Sequence, residues 1–91
     1  VTDPGLVKFV ARAFAWRQAL LLGKPIAQIA ADERVSERWV SSHLPAAYLA
    51  PDLVERILEG RQPAGLTLSA LRAHGVPASW IEQHKVFGDA G

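Results

Sequence analysis

The 91 residues include no cysteine. That excludes disulfide frameworks and thiolate zinc sites, and it suits a reducing compartment. Long hydrophobic runs are missing too. The most apolar stretch, "LVKFVARAFAWRQALLL" (residues 6–22), is broken by Lys8, Arg12 and Arg17. Those charges spoil it as a membrane span or a signal-peptide core. Repeats, low-complexity tracts and paired strand patterns are also absent. The three histidines, His43, His74 and His84, lie 31 and 10 residues apart. None pairs with another at i, i+4, so no metal site is expected. No nucleophile elbow, phosphate loop or dinucleotide fingerprint occurs. Glu55 and Glu59 share a helix face, but with Arg56 between them and a solvated position expected, they do not read as a general acid/base pair. Neither enzymatic activity nor a cofactor is expected.

What is present is an ordinary globular composition. Hydrophobic residues make up 49% and charged residues 21%, enough to fold one modest domain over residues 1–91. Mean hydropathy is +0.10. Two readings fit that value: a densely packed helical core, or apolar surface covered by a partner or by more of a longer chain. Net charge is +1, with a small basic bias toward the N-terminal half. Residues 1–48 hold six Lys/Arg against four Asp/Glu, and residues 49–91 hold four against five. A soluble, cytoplasmic, nucleoid-associated protein is the expectation, with no membrane partner.

Nearly every periodic segment reads as helix. Asp3-Pro4 is a good start, with Asp3 as cap and Pro4 in the first turn. The longest helix is expected from Leu6 to Leu22. Leu6, Val7, Phe9, Val10, Ala13, Phe14, Trp16, Leu20 and Leu21 cover about half its wheel, and Gly23 closes it. Arg17 falls inside that apolar arc. It calls for a carboxylate partner (Asp52, Glu55 or Glu59) or for snorkelling to the surface. Further helices are expected at 25–33, 36–44, 50–60, 67–74 and 77–87. Leu53, Val54, Ile57 and Leu58 should point inward from the fourth, and Trp80, Ile81 and Phe87 should anchor the last. The fold class is all-α with about six helices: residues 1–50 give a long helix plus a helix-turn-helix, and residues 51–91 give packing helices as a C-terminal extension.

The informative segment is "IAQIAADERVSERWVSSHL" (26–44). Two short helices meet at a tight turn, and the second opens on the strong cap Ser36. Ile26, Ile29 and the small Ala30 seat the first helix. Val35 plugs the turn, while Val40 and Leu44 hold the second helix down. Arg34 stands where such turns commonly carry glycine at positive φ. With Ser36 at zero, Val40 and Leu44 fall at about 40° and 80°. Glu37, Arg38, Ser41 and Ser42 fall between about 100° and 240°. That polar face is the one a helix-turn-helix presents to the major groove. Arg38 can pair with guanine, Glu37 can accept from cytosine, and the serines are adaptable. The remaining candidate contacts are Ser36, Trp39, Arg34 and Lys24, with Lys8 or Arg12 as further backbone contacts. Trp39 reads first as core packing and second as a groove-edge contact through its indole N–H. Pro45 should disfavour helical geometry at Leu44, stop or kink the recognition helix, and leave "PAAYL" to begin a new short helix.

Residues 26–71, "IAQIAADERVSERWVSSHLPAAYLAPDLVERILEGRQPAGLTLSAL", resemble the central helix-turn-helix domain of the ParB and KorB partition proteins. With "LVKFVARAFAWRQALLLG" before and "VPASWIEQHKVFG" after, nearly the whole chain is similar to the C-terminal tail of bacterial and phage-borne serine site-specific recombinases. The resemblance implies a module that binds double-stranded DNA, often as part of a longer protein; with so few basic residues, a homodimer or attachment to a larger protein is expected for useful affinity. It carries over no catalytic role, because the recombinase catalytic domain has no counterpart in these residues. The rival expectation is a helical protein–protein interaction module without DNA binding.

Overall fold

The computed structural model describes residues 2–87. Among them are six α-helices, one 3₁₀ helix and no strand. The helices are α1 (Pro4–Leu21), α2 (Ile26–Glu33), α3 (Glu37–His43), α4 (Pro51–Glu59), α5 (Leu68–His74) and α6 (Trp80–Val86), and the 3₁₀ helix spans Leu44–Tyr48.

Local chemistry sets most of these boundaries. The Asp3 carboxylate accepts from the Gly5 and Leu6 N–H groups at 3.1 and 3.2 Å, which starts α1 two residues before the expected Leu6. The Ser36, Thr67 and Ser79 hydroxyls cap α3, α5 and α6 in the same way. Each occupies an orphan N–H of a first turn. Because Ser79 takes the cap position, α6 begins at Trp80 rather than at Pro77.

Helix α1 is 18 residues long and carries two cores along one side. Its first half supplies Leu6, Phe9, Val10 and Ala13 to the larger core, with Ala46, Leu49, Leu53, Ile57, Leu66, Leu71 and Phe87. Its second half supplies Trp16 to a smaller core with Ile29, Ala30 and Val40. The pair α2–α3 is thus seated on the far end of α1 by its own apolar contacts, rimmed by Ile26, Val35 and Leu44.

Several expected anchors are not in either core. Phe14 is 40% exposed and Leu21 66%. The wheel was right in outline, but packing occupies only its central stripe. Leu58, Trp80 and Ile81 are likewise exposed, and the inward position on α6 belongs to Gln83. Arg17 takes no carboxylate among the described residues: its guanidinium lies over the Tyr48 ring, 5.3 Å from the centroid. Its Nε is buried without a hydrogen-bond partner. An aromatic face substitutes for the missing counter-ion.

The proline expectation needs one correction. Leu44 keeps helical angles, φ −53° and ψ −39°. Pro45 instead sits in the first turn of the 3₁₀ helix, where its missing N–H leaves no regular α-helical bond to lose. The chain therefore tightens into a new helix at "LPAAY", and α3 ends after two turns.

Candidate nucleic-acid interface

The turn between α2 and α3 closes on Arg34, at φ 58° and ψ 43°. This is the left-handed conformation that the position was expected to need. The Val35 N–H donates back to the Ala30 carbonyl at 3.0 Å, and the Arg34 N–H to Ala31 at 3.2 Å. That pair of bonds ends α2 and fixes the angle at which α3 leaves.

Helix α3 sorts its residues as its spacing dictates. Val40 and His43 are fully buried, while Glu37, Arg38, Ser41 and Ser42 are exposed on the other side. Two hydroxyls are already engaged. Ser36 Oγ accepts from the Trp39 N–H at 3.0 Å, and Ser42 Oγ donates to the Trp39 carbonyl at 2.7 Å. Ser41, Glu37 and Arg38 have no such local partner among the described residues, so their polar atoms face solvent.

Trp39 is not a core residue. It is 36% exposed, lying on the edge of α3 with its ring 4.9 Å from that of His43. The Arg72 guanidinium of α5 sits over the Trp39 ring, 5.2 Å from its centroid. Lys24, by contrast, is spoken for. Its ammonium lies 2.7 Å from Asp32, which Gln28 also contacts. These two donors hold the Asp32 carboxyl below its ordinary range. A phosphate contact from Lys24 would have to displace that carboxylate.

The other cations divide clearly. Arg61 pairs with Glu59, and Lys85 with Glu82. No carboxylate among the described residues pairs with Lys8, Arg12, Arg34, Arg38 or Arg72, and all five are exposed.

His43 was missed as a structural residue. Its ring stacks on Phe9 at 4.1 Å and meets Trp16 edge-on at 4.9 Å. It therefore joins the larger core to the smaller one from the inner face of α3. Nδ1 donates to the Trp39 carbonyl at 2.8 Å, which leaves Nε2 bare, buried and without a partner. Burial pushes its pKa below the ordinary 6.5, and the nearby Arg12 and Arg72 charges push the same way. The signal for this role was its spacing, three residues after Val40 on the inner face.

A second surface feature lies away from α3. Phe14, Tyr48, Leu49, Val54, Leu58 and Trp80 line an open apolar groove of about 490 Å³. Among the described residues no helix is long and apolar enough to cross a membrane, and no cluster of His, Asp or Glu is suited to hold a metal ion. Compared with known proteins, the chain matches no protein-family model, no curated protein and no solved structure.

Proposed function

We propose that this chain binds double-stranded DNA sequence-specifically, inserting α3 into the major groove. The observation that carries the reading is the division of α3. Val40 and His43 lock one side to α1, while Glu37, Arg38, Ser41 and Ser42 are exposed on the other. Base contacts come from Arg38 and Glu37, with the serines adapting to either strand. Arg34 and the unpaired Lys8 or Arg12 supply backbone contacts that set register. One copy offers few phosphate contacts, so a homodimer or attachment to a larger protein provides useful affinity. The resemblance in residues 26–71 and beyond supports reading the module as part of a site-specific recombinase, or of a partition or transcription-type regulator. With no matching family, that placement rests on the quoted residues alone.

Binding to random and genomic duplexes, followed as salt is varied, tests the proposal. Arg38→Ala should lose roughly 1–3 kcal/mol at a specific site, confined to one base position. Arg34→Ala should weaken binding to every sequence and flatten the salt slope. Absence of binding at low salt would sink the reading. The rival, a protein-interaction module without DNA binding, draws on the apolar groove with its exposed Phe14, Tyr48, Leu58 and Trp80. It is favoured if the low-salt titration is flat.

A further inference from the structure

Three regions outside the α3 polar face invite a role: the apolar groove, the buried His43, and the cations around Trp39. The groove has nothing to identify its occupant. His43 is explained by the joining of the two cores. The cations around Trp39 carry more.

We propose that Arg72 and Arg12, with the Trp39 indole between α3 and α5, form a second phosphate-binding site that flanks the recognition helix. This rests on the DNA-binding reading and extends its footprint to α5, an element outside the helix-turn-helix. Three observations converge on it.

The first is placement. Phe9 and Trp16 of α1 both touch the His43 ring. Arg12 lies three residues after one and four before the other, so it belongs to the same flank of α1. It is exposed there. Arg72 reaches the same neighbourhood from α5, next to the buried Leu71. The Trp39 ring under Arg72 lies 4.9 Å from the ring of His43, the last residue of α3, and His43 in turn packs on the flank of α1 that carries Arg12.

The second is charge. Neither arginine has a carboxylate partner among the described residues. They share this with Lys8, Arg34 and Arg38, whereas Lys24, Arg61 and Lys85 each have a partner. Two uncompensated positive charges around one buried imidazole raise the local potential, and an arriving anion relieves it.

The third is preorganisation. Arg72 rests on the Trp39 ring. Stacking leaves the edge N–H groups of a guanidinium free for a bidentate phosphate and restrains its rotamers before binding. The indole N–H of Trp39 has no hydrogen-bond partner among the described residues and supplies a further donor.

The test is fluorescence anisotropy of duplex DNA, specific and random, titrated over a range of salt. Arg72→Ala and Arg12→Ala should each weaken binding equally on both duplexes. Each should reduce the magnitude of the log–log salt slope by about 0.9, and the double variant by about twice that. Arg61→Ala removes the same charge from a residue already engaged by Glu59 and should keep the wild-type slope. Circular dichroism melts should show all variants folded. Trp39→Phe keeps the stacking face but lacks the N–H, so it should show a smaller loss than Arg72→Ala. If the wild type binds DNA with Arg38-dependent specificity while Arg12→Ala and Arg72→Ala keep its slope, this site is overturned and the α3 reading stands. Equal slope changes in Arg61→Ala would also overturn it, because the effect would then be one of net charge. A wild type that binds no DNA at low salt overturns both.

Discussion

His43 stacks on Phe9 with ring centroids 4.1 Å apart, and the contact ties α3 to α1. Its bare Nε2 is buried among aromatic rings, so a proton arriving there would bring an unsolvated charge close to Arg12 and Arg72. The folded state therefore resists protonation and holds the pKa below 6.5. The unfolded chain accepts the proton at about 6.5. Stability is full above that pH and falls progressively below it, because the unfolded state binds more protons in that range. Urea denaturation from about pH 7.5 down to 5 should show this loss. His43→Leu should remove most of the slope. His43→Ala should cost about 2–4 kcal/mol at about pH 7.5, because it empties the joint between the cores, and less toward about pH 5, where the wild type has itself lost stability. An unchanged slope in His43→Leu would place the titration elsewhere.

Gln83 is the second buried polar residue of the fold, and its amide is fully used. Its Oε1 accepts from the Ala50 N–H at 2.7 Å, and its Nε2 donates to the Tyr48 and Pro77 carbonyls at 2.9 and 2.7 Å. These bonds fasten α6 to the junction between the 3₁₀ helix and α4. Gln83→Leu keeps the volume but orphans a buried N–H and two carbonyls. The N–H is buried and costs about 1–3 kcal/mol when left unsatisfied, while the two carbonyls are only part-buried and cost less. We expect a loss of about 2–4 kcal/mol, seen as a lower urea midpoint, with DNA affinity unchanged while the protein remains folded.

How far the sequence discloses this fold depends on how local each cause is. Asp3, Ser36, Thr67 and Ser79 act on N–H groups two or three residues away, so the helix starts were readable. Gly23 and Gly60 mark the ends of α1 and α4 for the same reason. The two faces of α3 followed from the spacing of Val40 against Arg38 and Ser41. Gln83 was not readable, because its partners stand up to 35 residues away in sequence. Its inward position was instead assigned to Trp80 and Ile81, which are more apolar and yet exposed. Arg17 failed similarly: its inward position was legible, but not that Tyr48, 31 residues on, would offer a ring in place of a carboxylate.

Arg34 meets a backbone demand and, in the proposed function, a phosphate contact, and two substitutions separate them. Three helices end in the same way, with an N–H reaching back five residues: Lys24 to Ala19, Val35 to Ala30 and Arg61 to Arg56, at 3.0, 3.0 and 2.7 Å. At two of these ends the left-handed residue is a glycine, Gly23 or Gly60, and at the third it is Arg34. A side chain in that conformation costs roughly 1–2 kcal/mol. Glycine would relieve this but gives back about 0.5–1 kcal/mol through the extra freedom of the unfolded chain. Arg34→Gly should therefore stabilise the fold by about 0.5–1 kcal/mol, a rise of a few degrees in Tm. Arg34→Ala keeps the strain and should not stabilise. Both lack the guanidinium, so both should weaken DNA binding to the same extent on all sequences. Thermal melts and salt titrations on the same two proteins decide the matter. A destabilised Arg34→Gly would mean that the arginine side chain itself holds the turn, and its presence there would then need no DNA to explain it.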